Sequence, residues 1–420
     1  MAVVGGGAAG LVAALFAAGA GARVTLFEST RQGGKKIVAS GGGRCNVLPG
    51  AVDVRRFVTD GSPRVLARVL ASWPLEAQRA WFERDLGIPL SLEAATGKLF
   101  PASNRAADVR DALVAAARRA GADLRFGARV TALAPAGDPG PPGQTPGWRV
   151  TTAEGADTFD RAILATGGLS VPATGSDGFG LRAAEALGHR LVTPYPALTP
   201  LTAAPAGGGP APHAALAGVS LRPRLAVGSG RARLVTHDGF VFTHRGYSGP
   251  AVLDLSHRAT LARRAGEHAD VRVAWDGRDA EAWDAALRTP GPGLVATVVR
   301  DALPDRLADA LLAEAGVPLT RTRAELTRDE RRRLVGRLAD YPLPHTGDEG
   351  YTKAEVTGGG VPLGDVEPAT LESRRAPGLF LAGEILDAFG PIGGYNFLWA
   401  WATGRLAGLG AATNFHGTVT

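Results

Sequence analysis

Apolar positions open the chain as a short run, Ala2 to Val4, too brief for a helix and bounded at once by glycine. Gly5-x-Gly7-x-x-Gly10 follows, and Leu11 to Ala20 continues as an alanine-rich apolar stretch of helical length. Arg23 to Phe27 then reads as a second buried strand ending on Glu28. Continuous apolar runs of strand length alternating with helical stretches predict parallel βαβ units. Helical spacing runs through residues 52–86, broken by Pro63 and Pro74, with Trp73, Trp81 and Phe82 on its apolar side. A further helix is expected from about Arg105 to Ala120, then strands at Asp123–Phe126, Arg129–Leu133 and Trp148–Thr152. The Pro/Gly-rich string between the last two predicts a disordered hairpin tip. Ala162–Ala165 is another parallel-type strand, and Gly175 to Gly180 opens a helix to about Leu187.

From His189 to about Asp276 the pattern shifts to proline-rich, strand-length segments, including "ARLVTHDGFVFTHRGYSGPAVLDLS". About Ala280 to Tyr341 turns helical and charged, and Arg331–Arg333 reads as a solvated helix face. The first pattern then returns: an apolar strand Leu379–Ala382, a glycine turn and a long apolar helix. The boundaries this gives are 1–188 and 346–420 for one α/β domain built from both chain ends, 189–280 for a β-rich insert, and 281–345 for a small helical insert. The opening strand is short, which predicts a native N-terminus slightly upstream of Met1.

With 420 residues, several domains are expected. Hydrophobic residues at 45% and charged residues at 20% suit an ordinary globular protein. No apolar run reaches the roughly 20 residues of a bilayer span, and no signal-peptide pattern precedes the first helix, so a cytoplasmic location is expected. One cysteine, Cys45, excludes a disulfide framework and a cysteine-rich metal site. The net charge of +6 is spread over scattered arginines, which does not call for a nucleic-acid partner.

The chemistry lies in the glycine turns. Gly5 permits a tight turn, Gly7 lets the backbone approach a pyrophosphate, and Gly10 lets the helix pack on the sheet. The helix N-terminus offers unpaired N–H groups to phosphate, and Glu28 stands where a carboxylate accepts from ribose hydroxyls. Lys35 and Lys36 precede the loop Ser40-Gly41-Gly42-Gly43-Arg44-Cys45-Asn46, and together with its Arg44 they can bring cations, and the loop its N–H groups, to a dinucleotide. Cys45 has no histidine nearby in sequence and reads as a small buried residue rather than a nucleophile. Thr166-Gly167-Gly168 breaks a strand where backbone passes a ligand. At the far end, Gly383-Glu384 and Asp387 follow a strand, and Gly393-Gly394 begins a helix whose N-terminus suits the flavin N1–C2=O edge. A second acid-bearing strand distinguishes an FAD protein from a simple NAD dehydrogenase.

Taken in order, Gly5-to-Gly10, "SGGGRCN", "GKLFPAS", "ATGGLS", "FTHRGYSGPAVLDLS", "VTGGGVPL" and "GLFLAGEILDAFGPIGGYNFLWAWATG" resemble the YhiN/BaiN-type (BaiN/RdsA) family of bacterial FAD-dependent oxidoreductases, in its uncharacterised-flavoprotein subgroup. The resemblance spans nearly the whole chain. It implies an FAD-binding Rossmann-like domain of the two-dinucleotide-binding type, formed from both chain ends, with an inserted β-barrel-like domain and a small helical domain. The FAD site it implies takes Gly5, Gly7, Ala8, Ala9 and Gly10; Glu28 and Ser29; and Lys35, Lys36 and Ser40 to Asn46. It adds Val130, Ala165, Thr166, Gly167 and Gly168, then Gly383, Glu384, Asp387, Gly393, Gly394, Tyr395, Asn396 and Phe397.

The expected activity is hydride transfer from NADH or NADPH, docking transiently at the flavin face, to FAD and on to a small organic substrate, such as a conjugated C=C bond. His244, Tyr247 and Tyr395 are the candidate proton donors, with a hydrogen-bond network between domains as the alternative role for the first two. No metal is expected. Two other readings stand beside this one: an RNA-modifying or RNA-binding flavoprotein, and a non-catalytic flavin redox sensor.

Overall fold

A computed structural model describes residues 1–137, 146–205, 207–289, 291 and 293–413. The chain folds into two compact units, residues 1–195 with 356–420 and residues 196–355.

The first unit is built on five parallel strands: β1 (Ala2–Val4), β2 (Thr25–Glu28), β3 (Asp123–Phe126), β4 (Ala162–Leu164) and β5 (Leu379–Leu381). Their order is β5-β4-β1-β2-β3. Ala2 registers with Thr25 on one side and Ala162 on the other, and Ala162 registers with Leu379. Strands β1, β4 and β5 are buried at every position, which is why they read as uninterrupted apolar runs. The last strand of the chain thus completes the sheet begun by the first.

Between β1 and β2 runs α1 (Ala8–Gly19); α2 (Ala106–Arg119) precedes β3 and α3 (Tyr395–Thr413) ends the described chain. Helices α1 and α3 lie parallel and almost backbone to backbone. A Cβ on Gly404 would fall 2.4 Å from the Ala9 carbonyl oxygen, and one on Gly408 would fall 2.5 Å from that of Ala13. The chain leaves β1 toward β2 and β3 on one side and places β4 and β5 on the other. The crevice between β1 and β4, at the carboxyl ends of the strands, is therefore the topological switch point where such sheets bind ligands.

Two stretches differ from their sequence pattern. Val52 to Val58 is not helical beyond a single turn at Val54–Arg56; Val58 instead exchanges backbone hydrogen bonds with Phe389, at 2.8 and 3.1 Å. Pairing with a distant segment has overridden a weak local periodicity. The hairpin tip expected before Trp148 lies, over 138–145, outside the described residues.

In the second unit one antiparallel sheet has five strands (220–221, 240–242, 246–248, 201–202, 347–348) and another has four (234–237, 224–227, 271–274, 341–342). Five α-helices of six or more residues accompany them among the described residues, and one continuous core joins all five helices to strands of both sheets. The strand-rich and helical inserts, separate in the sequence pattern, here share that core: Trp275 sits beside Tyr341 and gives its indole N–H to the Arg337 carbonyl at 3.1 Å. "PAVLDLS" is not a strand but the start of a helix, Pro250–Arg264. Pro250 occupies the first turn, where its missing N–H costs nothing, and Ala251, Val252, Leu255 and Ala259 bury one face. Arg331 and Arg332 pair with Asp284 and Asp329 at 2.8 and 3.4 Å, so this basic run is charge-compensated.

Candidate functional site

The turn from β1 into α1 is shaped by two kinds of contact. Gly5 has φ +104°, and a Cβ there would fall 2.4 Å from the Ala165 carbonyl oxygen; one on Gly10 would fall 1.8 Å from that of Gly5. Protein packing alone requires both glycines. A Cβ on Gly7 would meet nothing within 4 Å. Gly7 caps α1 without any side-chain cap, so the first-turn N–H groups face open space with the helix dipole behind them.

Glu28 closes the next edge. It is 9% exposed, its Oε2 accepts from the Gly6 N–H at 2.8 Å, and its Oε1 accepts from the Thr30 N–H at 2.7 Å. Ser29 lies beside it, with its hydroxyl 3.4 Å from Oε1. Gly34 donates its N–H to the Gly6 carbonyl at 2.8 Å, which brings the following loop onto the turn. Lys35, first residue of the short helix Lys35–Ala39 that follows, is exposed.

Residues 40–43 form a tight turn in which Gly41, Gly42 and Gly43 all have positive φ, and a Cβ on Gly42 or Gly43 would meet nothing within 4 Å. Arg44 stacks over Phe100, 4.1 Å from the ring centroid, and pairs with Glu93 at 2.9 Å. Asn46 is half-buried beside Gly41, and Ser40 gives its hydroxyl to the Ile37 carbonyl at 2.8 Å. Cys45 is fully buried at φ +60°, and burial pushes its thiol up to about 12, against the opposing Ser40 hydrogen bond. It is held as a neutral thiol.

Lys36 and Glu384 meet across the site. The ammonium donates to Glu384 Oε2 at 2.8 Å and to Ser170 Oγ at 2.6 Å, and Ser170 Oγ donates to Glu384 Oε1 at 2.7 Å. Burial works against the Glu384 charge, but Lys36, Ser170 and Thr357 outweigh it and hold the carboxyl below its ordinary value. Ala165, Thr166, Gly167 and Gly168 carry the chain from β4 into this cluster. Val130 is buried at the start of a separate antiparallel sheet, beside Thr152.

Gly383, at φ +81°, places its α-carbon where a Cβ would lie 2.9 Å from that of Ala9, so the turn after β5 touches the start of α1. Thr403 Oγ1 accepts from the Gly383 N–H at 3.0 Å, and the Trp399 indole N–H donates to its carbonyl at 3.1 Å. Asp387, 3% exposed, accepts from the Asp60 N–H at 2.8 Å; burial raises its carboxyl above the ordinary value, with the Asp60 backbone bond opposing. Gly394 begins α3, and a Cβ there would lie 2.4 Å from the backbone of Leu48. Asn396 both accepts from and donates to Gly390, at 2.9 Å each, closing the loop between them. The Tyr395 hydroxyl donates to the Ala51 carbonyl at 3.2 Å and accepts from the Asp53 N–H at 3.3 Å, while Phe397 stacks on Trp401.

The two candidate donors of the second unit differ sharply. His244 is exposed on the turn between strands 240–242 and 246–248. Tyr247, three residues on, is 0% exposed, and burial pushes its phenol up, with the Tyr341 and Glu314 charges acting in the same direction.

The residues at the switch point fit a dinucleotide. An uncapped helix N-terminus and open space at Gly7, Gly42 and Gly43 supply the room and the donors, and Thr166 Oγ1 is buried without a partner among the described residues. Sequence reasoning passes over Ser170, Thr357 and Thr403, although all three lie inside strings it singles out; only their contacts reveal them. No group of three or more metal-ligating side chains occurs among the described residues, and no described helix is long and apolar enough to cross a membrane.

The HI0933-like protein Rossmann domain matches residues 1–410. The chain belongs to that family. It is 32% identical over 418 residues to a 3-dehydro-bile acid Δ(4,6)-reductase of Clostridium scindens, covering 98% of each chain. It is 30% identical over 417 residues to a ribosomal RNA dihydrouridine synthase of Escherichia coli, covering 96% of this chain and 95% of that one. Among solved structures, a 3-ketosteroid Δ1-dehydrogenase from Sterolibacterium denitrificans aligns with TM-score 0.51 at 13% identity, over 98% of this chain and 99% of that one. A flavocytochrome c3 fumarate reductase aligns with TM-score 0.50 at 21% identity, over 98% and 78%. These structures share the fold.

Proposed function

We propose that this chain, an FAD-dependent oxidoreductase by class, reduces a C=C bond conjugated with a carbonyl group, using NADH or NADPH as donor and a small organic molecule as acceptor. The observation that carries the reading is the switch-point crevice, in which an uncapped α1 N-terminus, an open Gly7 and the Glu28 carboxylate converge. FAD, when bound, supplies hydride transfer through its N5 position. The helix N-terminus would receive the pyrophosphate, Glu28 would accept from the adenosine ribose, and the α3 N-terminus after Gly393-Gly394 would face the flavin pyrimidine edge.

Two curated relatives support the choice of bond. A Δ(4,6)-reductase acts on unsaturation in a 3-oxo bile acid, and dihydrouridine differs from uridine by saturation of a ring C=C conjugated with a carbonyl. In both, saturating a C=C conjugated with a carbonyl takes a hydride at the electrophilic end of the conjugated system and a proton at the carbon that becomes enolate-like. His244 is the proposed proton donor. Thr243 Oγ1 accepts from the Arg245 and Gly246 N–H groups at 3.3 and 3.0 Å, so the turn that presents the imidazole is built rigidly. Tyr247 and Tyr395 have hydroxyls already engaged by protein groups and serve packing.

A second reading takes uridine in RNA as the acceptor. The 30% identical relative favours it, while the compensated Arg331 and Arg332 do not. Anaerobic stopped-flow reduction of the purified protein by NADH and NADPH, followed by reoxidation with a steroid enone or with a uridine-containing ribosomal RNA fragment, decides between them. Reoxidation by the enone supports the first reading, and reoxidation by the RNA alone supports the second. Protein without flavin, or flavin that neither acceptor reoxidises, overturns both.

A further inference from the structure

Thr357 lies in the strand Val356–Gly360, within a string the sequence pattern marks only for its glycines. It is 2% exposed and uses its hydroxyl and backbone N–H to join two loops of the crevice. Its Oγ1 accepts from the Leu169 N–H at 2.7 Å and the Ser170 N–H at 3.1 Å, both on the turn that leaves β4. Its own N–H donates to Glu384 Oε1 at 3.0 Å, on the turn that leaves β5. Ser170 Oγ and the Lys36 ammonium complete the ring, and Lys36 belongs to the short helix Lys35–Ala39, whose cap Gly34 donates its N–H to the Gly6 carbonyl. Gly168 is packed onto this point so closely that a Cβ there would fall 2.3 Å from Thr357 Oγ1.

We propose that Thr357 is a positioning residue for the dinucleotide crevice, acting through Leu169, Ser170 and Glu384 to hold the post-β4 and post-β5 turns in one arrangement. The inference deepens the flavin reading and rests on it. Three segments, the helix Lys35–Ala39 and the turns near 170 and 384, must keep their relative places for the crevice to accept one large ligand. Their neighbours in the ring are polar groups that would otherwise lose partners in a buried setting. The Lys36 charge is spent on Glu384 and Ser170, so the anion-binding field at the crevice comes from the α1 N-terminus, and Lys36 works as part of the clamp. Within the ring, the hydroxyl of Thr357 is the group that receives backbone donors from two successive residues.

The test uses full-length protein stripped of FAD and titrated with FAD, read by flavin fluorescence and by the visible circular dichroism of the bound flavin. Thr357→Val keeps the shape and removes the acceptor; Thr357→Ser keeps the acceptor. The proposal expects T357V to weaken FAD binding about 10- to 100-fold and to alter the visible dichroism. T357S should restore both. T357V that binds FAD with wild-type affinity and an unchanged dichroism overturns the proposal, even if its thermal midpoint falls. If T357V does not fold, Ser170→Ala serves in its place, and wild-type behaviour there overturns the proposal equally. Wild-type protein that binds no FAD overturns the flavin reading itself, which separates that failure from a failure of the clamp.

Discussion

The Tyr247 phenolic oxygen lies 2.8 Å from His213 Nδ1, with Tyr341 Oη and Glu314 Oε1 3.0 and 3.2 Å from the other ring nitrogen. All four residues belong to the second unit, and Tyr247 packs there among Phe240 and Phe242. Tyr247→Phe would leave a buried histidine nitrogen without its partner. It should cost about 1–3 kcal/mol in urea unfolding and leave the rate of enone reduction per bound flavin nearly unchanged. His244→Gln should do the reverse: unchanged unfolding and a rate lower by about 100-fold or more. Loss of turnover in folded Y247F, with H244Q active, would transfer the donor role to Tyr247.

Gly7 and Gly10 separate ligand demands from packing demands. Gly10→Ala drives a methyl into the Gly5 carbonyl and should yield little folded protein. Gly7→Ala meets no protein atom within 4 Å and should fold with a wild-type thermal midpoint. Its FAD affinity should nevertheless drop about tenfold or more, because the methyl enters the space assigned to the pyrophosphate. Unchanged FAD affinity in G7A would remove the pyrophosphate from this turn.

Cys45, buried and with its thiol pushed to about 12, should resist alkylation at pH 8 in the native protein and react at once in urea. Cys45→Ser should retain turnover. Rapid native labelling accompanied by loss of activity would contradict the buried, neutral assignment.

His257 is 4% exposed, and burial lowers its imidazole to about 4, with the Arg258 charge adding and the Asp254 backbone opposing. Its value in the unfolded chain is near 6.5, so between those limits the unfolded chain holds the extra proton. Stability from this group is complete above pH 6.5 and is lost as pH falls toward 4, by up to about 3 kcal/mol. Burial lowers His189 and His345 as well, which adds in the same direction. Urea midpoints measured from pH 7.5 to 4.5 should fall, and His257→Gln should flatten the curve. An equally steep curve in the variant would exclude His257 as a source.

The strand–turn–helix at the start of the chain is legible in the sequence because each step has a local cause. A parallel strand buried on both faces must be apolar throughout, and only glycine fits the Gly5 and Gly10 backbones. Helix α3 and β5 are legible for the same reason. Pro250–Arg264 escapes its sequence pattern because a short apolar string flanked by strands looks alike in either state, and only its packing face distinguishes them. Val52–Val58 escapes it because its partner, Phe389, lies some three hundred residues away.

The sequence by itself determined the buried parallel-type strands near both chain ends and the dinucleotide turn after the first of them, since backbone sterics and apolar burial act over a few neighbouring residues. The tertiary structure alone decided the charges and hydroxyls. Lys36 pairs with Glu384, Asp387 turns to Asp60, and Tyr247 rather than His244 enters the core. A polar side chain's role depends on which distant group can satisfy it once water is excluded, and separation along the chain carries no record of that choice.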